Sequence, residues 1–342
     1  MEKIDFRSDT LTKPTDEMRR AMSEASVGDD VYKEDPTINK LENLASKIVG
    51  KEEALFVPSG TMGNQLALLT HTNRGEEIIL EEWSHIYRFE VGGLSFLSGL
   101  QAKPIKGENG IMELKDIKRE IIKDNDIHHA QTSLICMENT HNMAGGVVTP
   151  LKRMEEIYNL AKDNEIKVHL DGARMFNASI YLDTDIKEIT NKTDSVMFCL
   201  SKGLSAPVGS ILAGDKDFIK KARRYRKMLG GGMRQAGILA AAGIISLNNM
   251  VDRLKLDNEN IKLLADKLSN IKSIDVKTPQ TNILMIDVSK SKFSSEEVID
   301  KLKDKGILTS KITNNIIRFV THRHISKEDI LYSTDIFNKI IK

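Results

Sequence analysis

Short apolar runs recur through the middle of this chain, at Ala54–Val57, Glu77–Leu80, Ala102–Ile105, Thr132–Met137, Ile166–Leu170, Ser195–Leu200 and 208–213. Segments with helical spacing lie between or after them, over 63–69, 114–123, 150–164 and 216–229. Strands that alternate with helices predict an α/β fold, with a mainly parallel sheet covered by helices. In such a sheet ligand chemistry collects outside the carboxyl ends of the strands. The residues that follow each run are therefore the ones to read for function.

The flanks of this region read differently. Met1–Thr12 carries little periodicity and is expected to be an extended arm, followed by a Thr15-capped helix through Ala25 and a helix over Pro36–Val49 that Gly50 ends. After Gly230-Gly231-Gly232, the apolar stretch 236–248 predicts a buried helix, and 252–270 an amphipathic helix bridging two units. Strands at 274–278, 282–288 and 316–320, with helices at 295–304 and 326–341, complete a compact α+β unit. The expected organisation is an arm (1–14), a large cofactor-binding domain (15–248) and a smaller C-terminal α+β domain (249–342). A net charge of +1 suggests no polyanion, and so no nucleic-acid partner. No apolar run approaches membrane-spanning length and no signal-peptide pattern opens the chain. Cys136 and Cys199 lie inside apolar runs and read as buried thiols, which suits a cytoplasmic setting.

Two strand ends carry the chemistry. Val196–Leu200 delivers Lys202 into a loop of small residues, and Val168–Leu170 ends at Asp171. Either residue alone is ordinary, a surface lysine or a helix cap. Together they are what pyridoxal phosphate requires: an amine for a Schiff base and a carboxylate that keeps the pyridine nitrogen protonated. Ser59, Gly60 and Thr61, in a glycine-rich strand-to-helix turn, offer a phosphate cup. His85 follows another strand, where a flat imidazole can stack on a pyridine ring. Glu138-Asn139-Thr140-His141 also lies at a carboxyl edge, and Arg318 stands in an otherwise apolar strand, where its fork suits a substrate carboxylate or an internal acid. No metal-ligating set is singled out.

These motifs together resemble the low-specificity threonine aldolases, pyridoxal-phosphate enzymes of the aspartate-aminotransferase-like fold type I. The likeness runs through Asp5-Phe6-Arg7-Ser8-Asp9-Thr10, Val27–Tyr32, Ser59–Asn64, Glu138–His141, His169–Arg174, Leu200–Leu204, Arg226–Gly237 and Arg318–His322. It implies that Lys202 is the Schiff-base lysine, Asp171 the pyridinium partner and His85 the stacking residue. It also implies that Arg174 contacts cofactor and substrate, that Gly60, Thr61 and Ser201 hold the phosphate, and that Ser8 and Arg318 hold the substrate carboxylate. His128 is implied to reach the substrate hydroxyl, and Tyr32, Lys227 and Arg234 to lie near the site, the last two donated by a neighbouring subunit. The chain departs from the pattern at His129 and Gln131, which leaves open whether His128 or His129 points inward.

The resemblance implies reversible cleavage of L-threonine or L-allo-threonine to glycine and acetaldehyde, with His128 or His85 as the base, in a homodimer or homotetramer. β-Elimination or transamination on the same scaffold is the enzymatic alternative, and a non-catalytic cofactor-binding regulator the other. The segment Arg226-Lys227-Met228-Leu229, three glycines and Arg234 shows no acid nearby in sequence, so an acidic partner inside its own domain is not expected and a phosphate across a subunit interface is.

Overall fold

The computed structural model describes residues 3–124 and 126–342. Its main sheet has seven strands: β1 (Glu53–Val57), β2 (Glu77–Glu81), β3 (Gln101–Ile105), β4 (Thr132–Glu138), β5 (Lys167–Asp171), β6 (Ser195–Cys199) and β7 (Ser210–Gly214). Their spatial order is β1-β7-β6-β5-β4-β2-β3. All neighbours are parallel except β7, which runs antiparallel to both β1 and β6.

Residue alternation divides the core between the two faces of this sheet. Phe56, Ile135, Val168, Leu170, Val196 and Phe198 belong to one apolar cluster, with α1 (Asp16–Ser23) and α2 (Pro36–Val49) contributing Met18, Ile38 and Leu41. Leu55, Val57, Met197 and Cys199 point the other way and meet Leu66 of α3 (Gly60–His71). Ile78, Leu80, Leu134 and Cys136 continue that second face. Both cysteines are buried and free.

The helix expected over 63–69 starts earlier, at Gly60, so the glycine-rich turn is the first turn of α3 itself. Gly63 lets α3 approach the sheet: a Cβ there would lie 2.6 Å from Met197 Cγ. Short helices the periodicity could not reveal follow β2 and β5, α4 (His85–Arg88) and Met175–Leu182 among them. The basic segment forms α5 (Lys216–Met228), and the apolar stretch expected as one helix forms α6 (Gly237–Ile245) continued by a π turn, Ser246–Met250.

The C-terminal part carries a four-stranded antiparallel sheet that includes β8 (Ile283–Asp287) and β9 (Ile316–Val320). Helices Leu254–Leu268, Ser295–Lys303 and Lys327–Ile341 pack with it, in an apolar cluster centred on Ile261, Leu284, Val298, Phe319 and Phe337. The arm is less free than its sequence suggests. Ile4–Asp5 pairs in parallel with Ile307–Leu308, and Phe6 is buried in the C-terminal cluster, its ring 5.3 Å from that of Phe319. No helix among the described residues is long and apolar enough to cross a membrane.

Candidate active site

At the carboxyl edge of the sheet lies a cavity of about 310 Å³, lined among others by Ser59, Gly60, Thr61, His85, Asp171, Arg174, Ser201 and Lys202. A larger open cleft of about 730 Å³, bordered by Glu108, Arg153 and Lys277, contains none of these residues. β1 leads into the cavity through Ser59, which caps α3 by accepting a hydrogen bond from Met62 N–H (3.2 Å). A helix start leaves its first N–H groups without intrahelical partners, so those of Gly60 and Thr61 are available to an anion.

Lys202 follows β6 by three residues. Its carbonyl accepts from Ser205 N–H (2.9 Å) and from the Thr12 hydroxyl (2.7 Å). The loop turns through Ser205 at φ +64° and Gly209 at φ +104°, left-handed conformations that return the chain into β7.

On the next strand Asp171 closes β5, in register with Glu138 of β4. Its two oxygens accept from Ala173 N–H (3.1 Å) and from the Asn64 amide (2.8 Å). Asn64 Nδ2 also donates to Glu90 (2.7 Å), and Glu90 accepts in turn from Gln65 (2.6 Å). Glu90 Oε1 lies 2.9 Å from His85 Nδ1. A carboxylate can only accept, so Nδ1 carries the proton and a neutral His85 keeps Nε2 as its acceptor. Burial pushes the His85 imidazole down, but the Glu90 hydrogen bond and the charges of Asp171, Glu90 and Glu138 outweigh it and hold its pKa above the ordinary value. Burial lifts the Glu90 carboxyl above its usual range despite its hydrogen bonds from His85 and Asn64.

At the far side two guanidinium groups converge. Buried Arg174 clasps Asp9 of the arm with two hydrogen bonds, 2.7 and 2.8 Å, and Asn282 adds a third donor to Asp9 at 3.2 Å. Although desolvation opposes ionisation, Arg174 and Lys202 hold the Asp9 carboxyl far below the usual carboxylate range. Arg318 of β9 donates to Asn142 Oδ1 (3.2 Å) and to the Arg7 carbonyl (3.1 Å). Arg174 reaches the same Asn142 oxygen at 3.4 Å. Burial and the nearby Arg174 charge both depress the Arg318 pKa, with Asp9 opposing them. An anion beside Asn142 would relieve the repulsion between the two cations.

Seven residues considered from the sequence, Ser8, Tyr32, His128 or its alternative His129, Lys227, Arg234 and Arg318, do not line this cavity. Ser8 caps a short turn and accepts from Thr10, and Arg318 touches the wall only through Asn142. His128 lies on an exposed loop beside Asp126 (2.7 Å), and His129 beside Asp124 (3.1 Å), so neither histidine points into the chain's own pocket. The polar, exposed surroundings of this loop give its imidazoles nearer partners. Tyr32, Lys227 and Arg234 are all exposed and outside this cavity, with Arg234 paired to Asp29 (2.8 Å) and 6.0 Å from the Tyr32 ring. The expectation that this basic segment lacks acidic partners is corrected: Arg226 is buried against Asp30 (2.6 Å), and Arg223 pairs with Glu42 (2.7 Å). Those acids come from α2 and the turn before it, far away in sequence.

Sequence reading assigned no role to Asp9, Asn64, Glu90 or Asn142. The available signal was polarity out of place, above all Asn64-Gln65 leading straight into Leu66-Ala67-Leu68. The assembled set nevertheless fits pyridoxal phosphate: free N–H groups for the phosphate, an accepting carboxylate for the ring nitrogen and a lysine for the aldehyde. Thr140 adds a buried hydroxyl in the cavity wall with no hydrogen-bond partner among the described residues.

A mainly parallel seven-stranded sheet with this cavity at its carboxyl edge, joined to a smaller α+β unit, is the architecture of the fold type I pyridoxal-phosphate enzymes. A threonine aldolase of Leishmania major shares this fold, with a TM-score of 0.87 over 99% of this chain and 100% of that one, at 18% identity. The beta-eliminating lyase family matches residues 5–291. In sequence the chain is 44% identical to the low specificity L-threonine aldolase of Escherichia coli strain K12, over 96% of each. It is 42% identical to low-specificity L-threonine aldolase 1 of Arabidopsis thaliana, over 99% of this chain and 96% of that protein. The chain belongs to the low-specificity L-threonine aldolases, within the beta-eliminating lyase family.

Proposed function

We propose that this protein is a pyridoxal-phosphate-dependent carbon–carbon lyase that cleaves L-threonine and L-allo-threonine reversibly to glycine and acetaldehyde. The observation that carries the reading is the convergence of Lys202, Asp171 and His85 on one cavity, with Arg174 and Arg318 meeting at Asn142 beside it. When bound, the cofactor supplies an electron sink for the pair released as the Cα–Cβ bond breaks.

Every other task falls to the chain. Gly60 and Thr61 N–H groups, with the Ser59 and Ser201 hydroxyls, would hold the phosphate, and Lys202 Nζ would supply the amine that tethers the cofactor through its aldehyde. Arg174 and Arg318 grip the substrate carboxylate, which fixes the angle between the scissile bond and the ring. His85, whose Nδ1–H is committed to Glu90, accepts the β-hydroxyl proton at Nε2, directly or through water. His128 has no part in this reading within one chain, because its ring is held at the surface.

The same reading includes a cytoplasmic setting, an arm over 1–14, a large domain over 15–248 and a small one over 249–342. It also includes a homo-oligomer, a dimer or a tetramer, in which Lys227 and Arg234 complete a neighbour's site. The match to the beta-eliminating lyase family makes β-elimination the second reading. Product analysis with the four threonine stereoisomers separates the two. Equal glycine and acetaldehyde without ammonia supports the aldolase, whereas ammonia and a 2-oxo acid would overturn it.

A further inference from the structure

Behind Asp171 runs a chain of buried polar groups that the proposed reaction leaves without a task. Asn64, His169 and Ser195 are fully buried, and His71 is half-buried at the end of α3, stacked on Phe218 with ring centroids 4.4 Å apart. His71 Nε2 lies 2.7 Å from Ser195 Oγ, which lies 2.8 Å from His169 Nδ1, and His169 Nε2 lies 3.1 Å from Asn64 Oδ1.

Donor counting gives this chain one direction. Asn64 Nδ2 faces two carboxylates, Asp171 and Glu90, neither of which donates when ionised, so both amide hydrogens are spent there. Asn64 Oδ1 therefore accepts, and His169 Nε2 is the donor. Burial holds His169 down at about 4 and His71 down at about 3, so both rings are neutral at physiological pH. His169 Nδ1 is then an acceptor, the Ser195 hydroxyl donates to it, and His71 Nε2–H donates to the serine oxygen. Every hydrogen in the chain points towards Asp171. An amide turned over would present its oxygen to two carboxylates, neither of which donates when ionised.

We propose that Asn64 is a positioning residue for Asp171, and that the chain His71–Ser195–His169 fixes the face its amide presents, so that Asp171 meets the cofactor's pyridine nitrogen as an acceptor. The inference rests on the pyridoxal-phosphate reading of the pocket. Asn64 is a single hinge between the ring-nitrogen partner and the Glu90–His85 pair, because one Nδ2 serves both acids. A buried network of this kind holds its geometry only when each member is satisfied.

The test loads the protein with pyridoxal phosphate labelled with ¹⁵N in the ring. It reads ring-nitrogen protonation by NMR and cofactor affinity by equilibrium dialysis, neither of which depends on turnover. In the wild type the bound nitrogen is expected to be protonated; a wild type that binds no cofactor would overturn the underlying reading of the pocket. Asn64→Leu should shift the nitrogen signal towards the unprotonated form and weaken cofactor binding at least tenfold. His169→Leu, which removes the donor to Asn64, should move both readouts in the same direction by a smaller amount. His169→Gln retains an N–H donor near the position of Nε2 and should stay within about threefold of wild type. Retention of a fully protonated nitrogen and wild-type affinity by Asn64→Leu and His169→Leu would overturn the proposal, as would His169→Gln behaving as badly as His169→Leu. If Asn64→Leu does not fold, the histidine pair decides the question alone.

Discussion

Borohydride reduction of the loaded protein followed by peptide mapping should find the cofactor on Lys202, and Lys202→Ala should lose both that label and turnover. Labelling at any other lysine would remove Lys202 from its role. A second residue-scale expectation concerns His85, which must be neutral to accept a proton and therefore sets the acid limb of kcat/KM. Its folded pKa is raised, so the protonated, inactive form persists to higher pH than for an unperturbed imidazole. Glu90→Gln removes the charge that contributes to that rise and leaves only a neutral, weaker amide oxygen to accept from Nδ1. The acid limb should then move to lower pH, and a limb that stays in place would take His85 out of the base role.

Among elements, α3 and the arm carry the tightest constraints. Gly63→Ala would set a methyl 2.6 Å from Met197 Cγ, forcing α3 away from β6. Overpacking of this kind costs about 1–3 kcal/mol, read as a lower denaturation midpoint together with weaker cofactor binding. Asp9→Ala would leave the buried Arg174 guanidinium without its fork partner, a loss of about 3–5 kcal/mol in denaturant unfolding. Unchanged stability in either variant would contradict the packing described.

This is also the scale at which legibility in the sequence divides. Lys202 and Asp171 could be found because charge at the end of an apolar strand stands out, and the alternation of elements disclosed the sheet. That β7 runs antiparallel could not be read, since Ser210–Gly214 has the same apolar character as its parallel neighbours. Asp9, Asn64 and Glu90 stayed hidden for another reason. Asp9 and Asn64 are defined by partners far along the chain, Arg174 being 165 residues from Asp9 and Asp171 107 from Asn64, while Glu90 meets Asn64 and Gln65 across 26 and 25 residues; a short-range pattern carries no trace of such pairs.

For the whole molecule, the position of Lys227 and Arg234 outside the pocket's lining makes a dimer experiment decisive. Lys202→Ala and Arg234→Ala subunits, each nearly inactive, should regain activity when unfolded and refolded together. Random pairing makes about half of the dimers mixed, and one site in each mixed dimer escapes both lesions, so about a quarter of all sites should recover. No recovery after verified mixing would confine Arg234 to its own subunit.

The arm has a consequence for how the protein is made. Asp9, Arg7 and Asp5 are synthesised well before Asn282, Ser310 and His322, which bond them and lie 273, 303 and 317 positions later. Translation delivers residues in order, at about 5–20 per second, so the arm is exposed for tens of seconds before its binding surface exists. The sheet and its Lys202 loop can form in that interval, but the Arg174 side of the pocket cannot close. Nascent chains stalled before residue 282 should therefore present a protease-sensitive amino-terminal segment on an otherwise structured core, and acquire protection there only when the last strands are released.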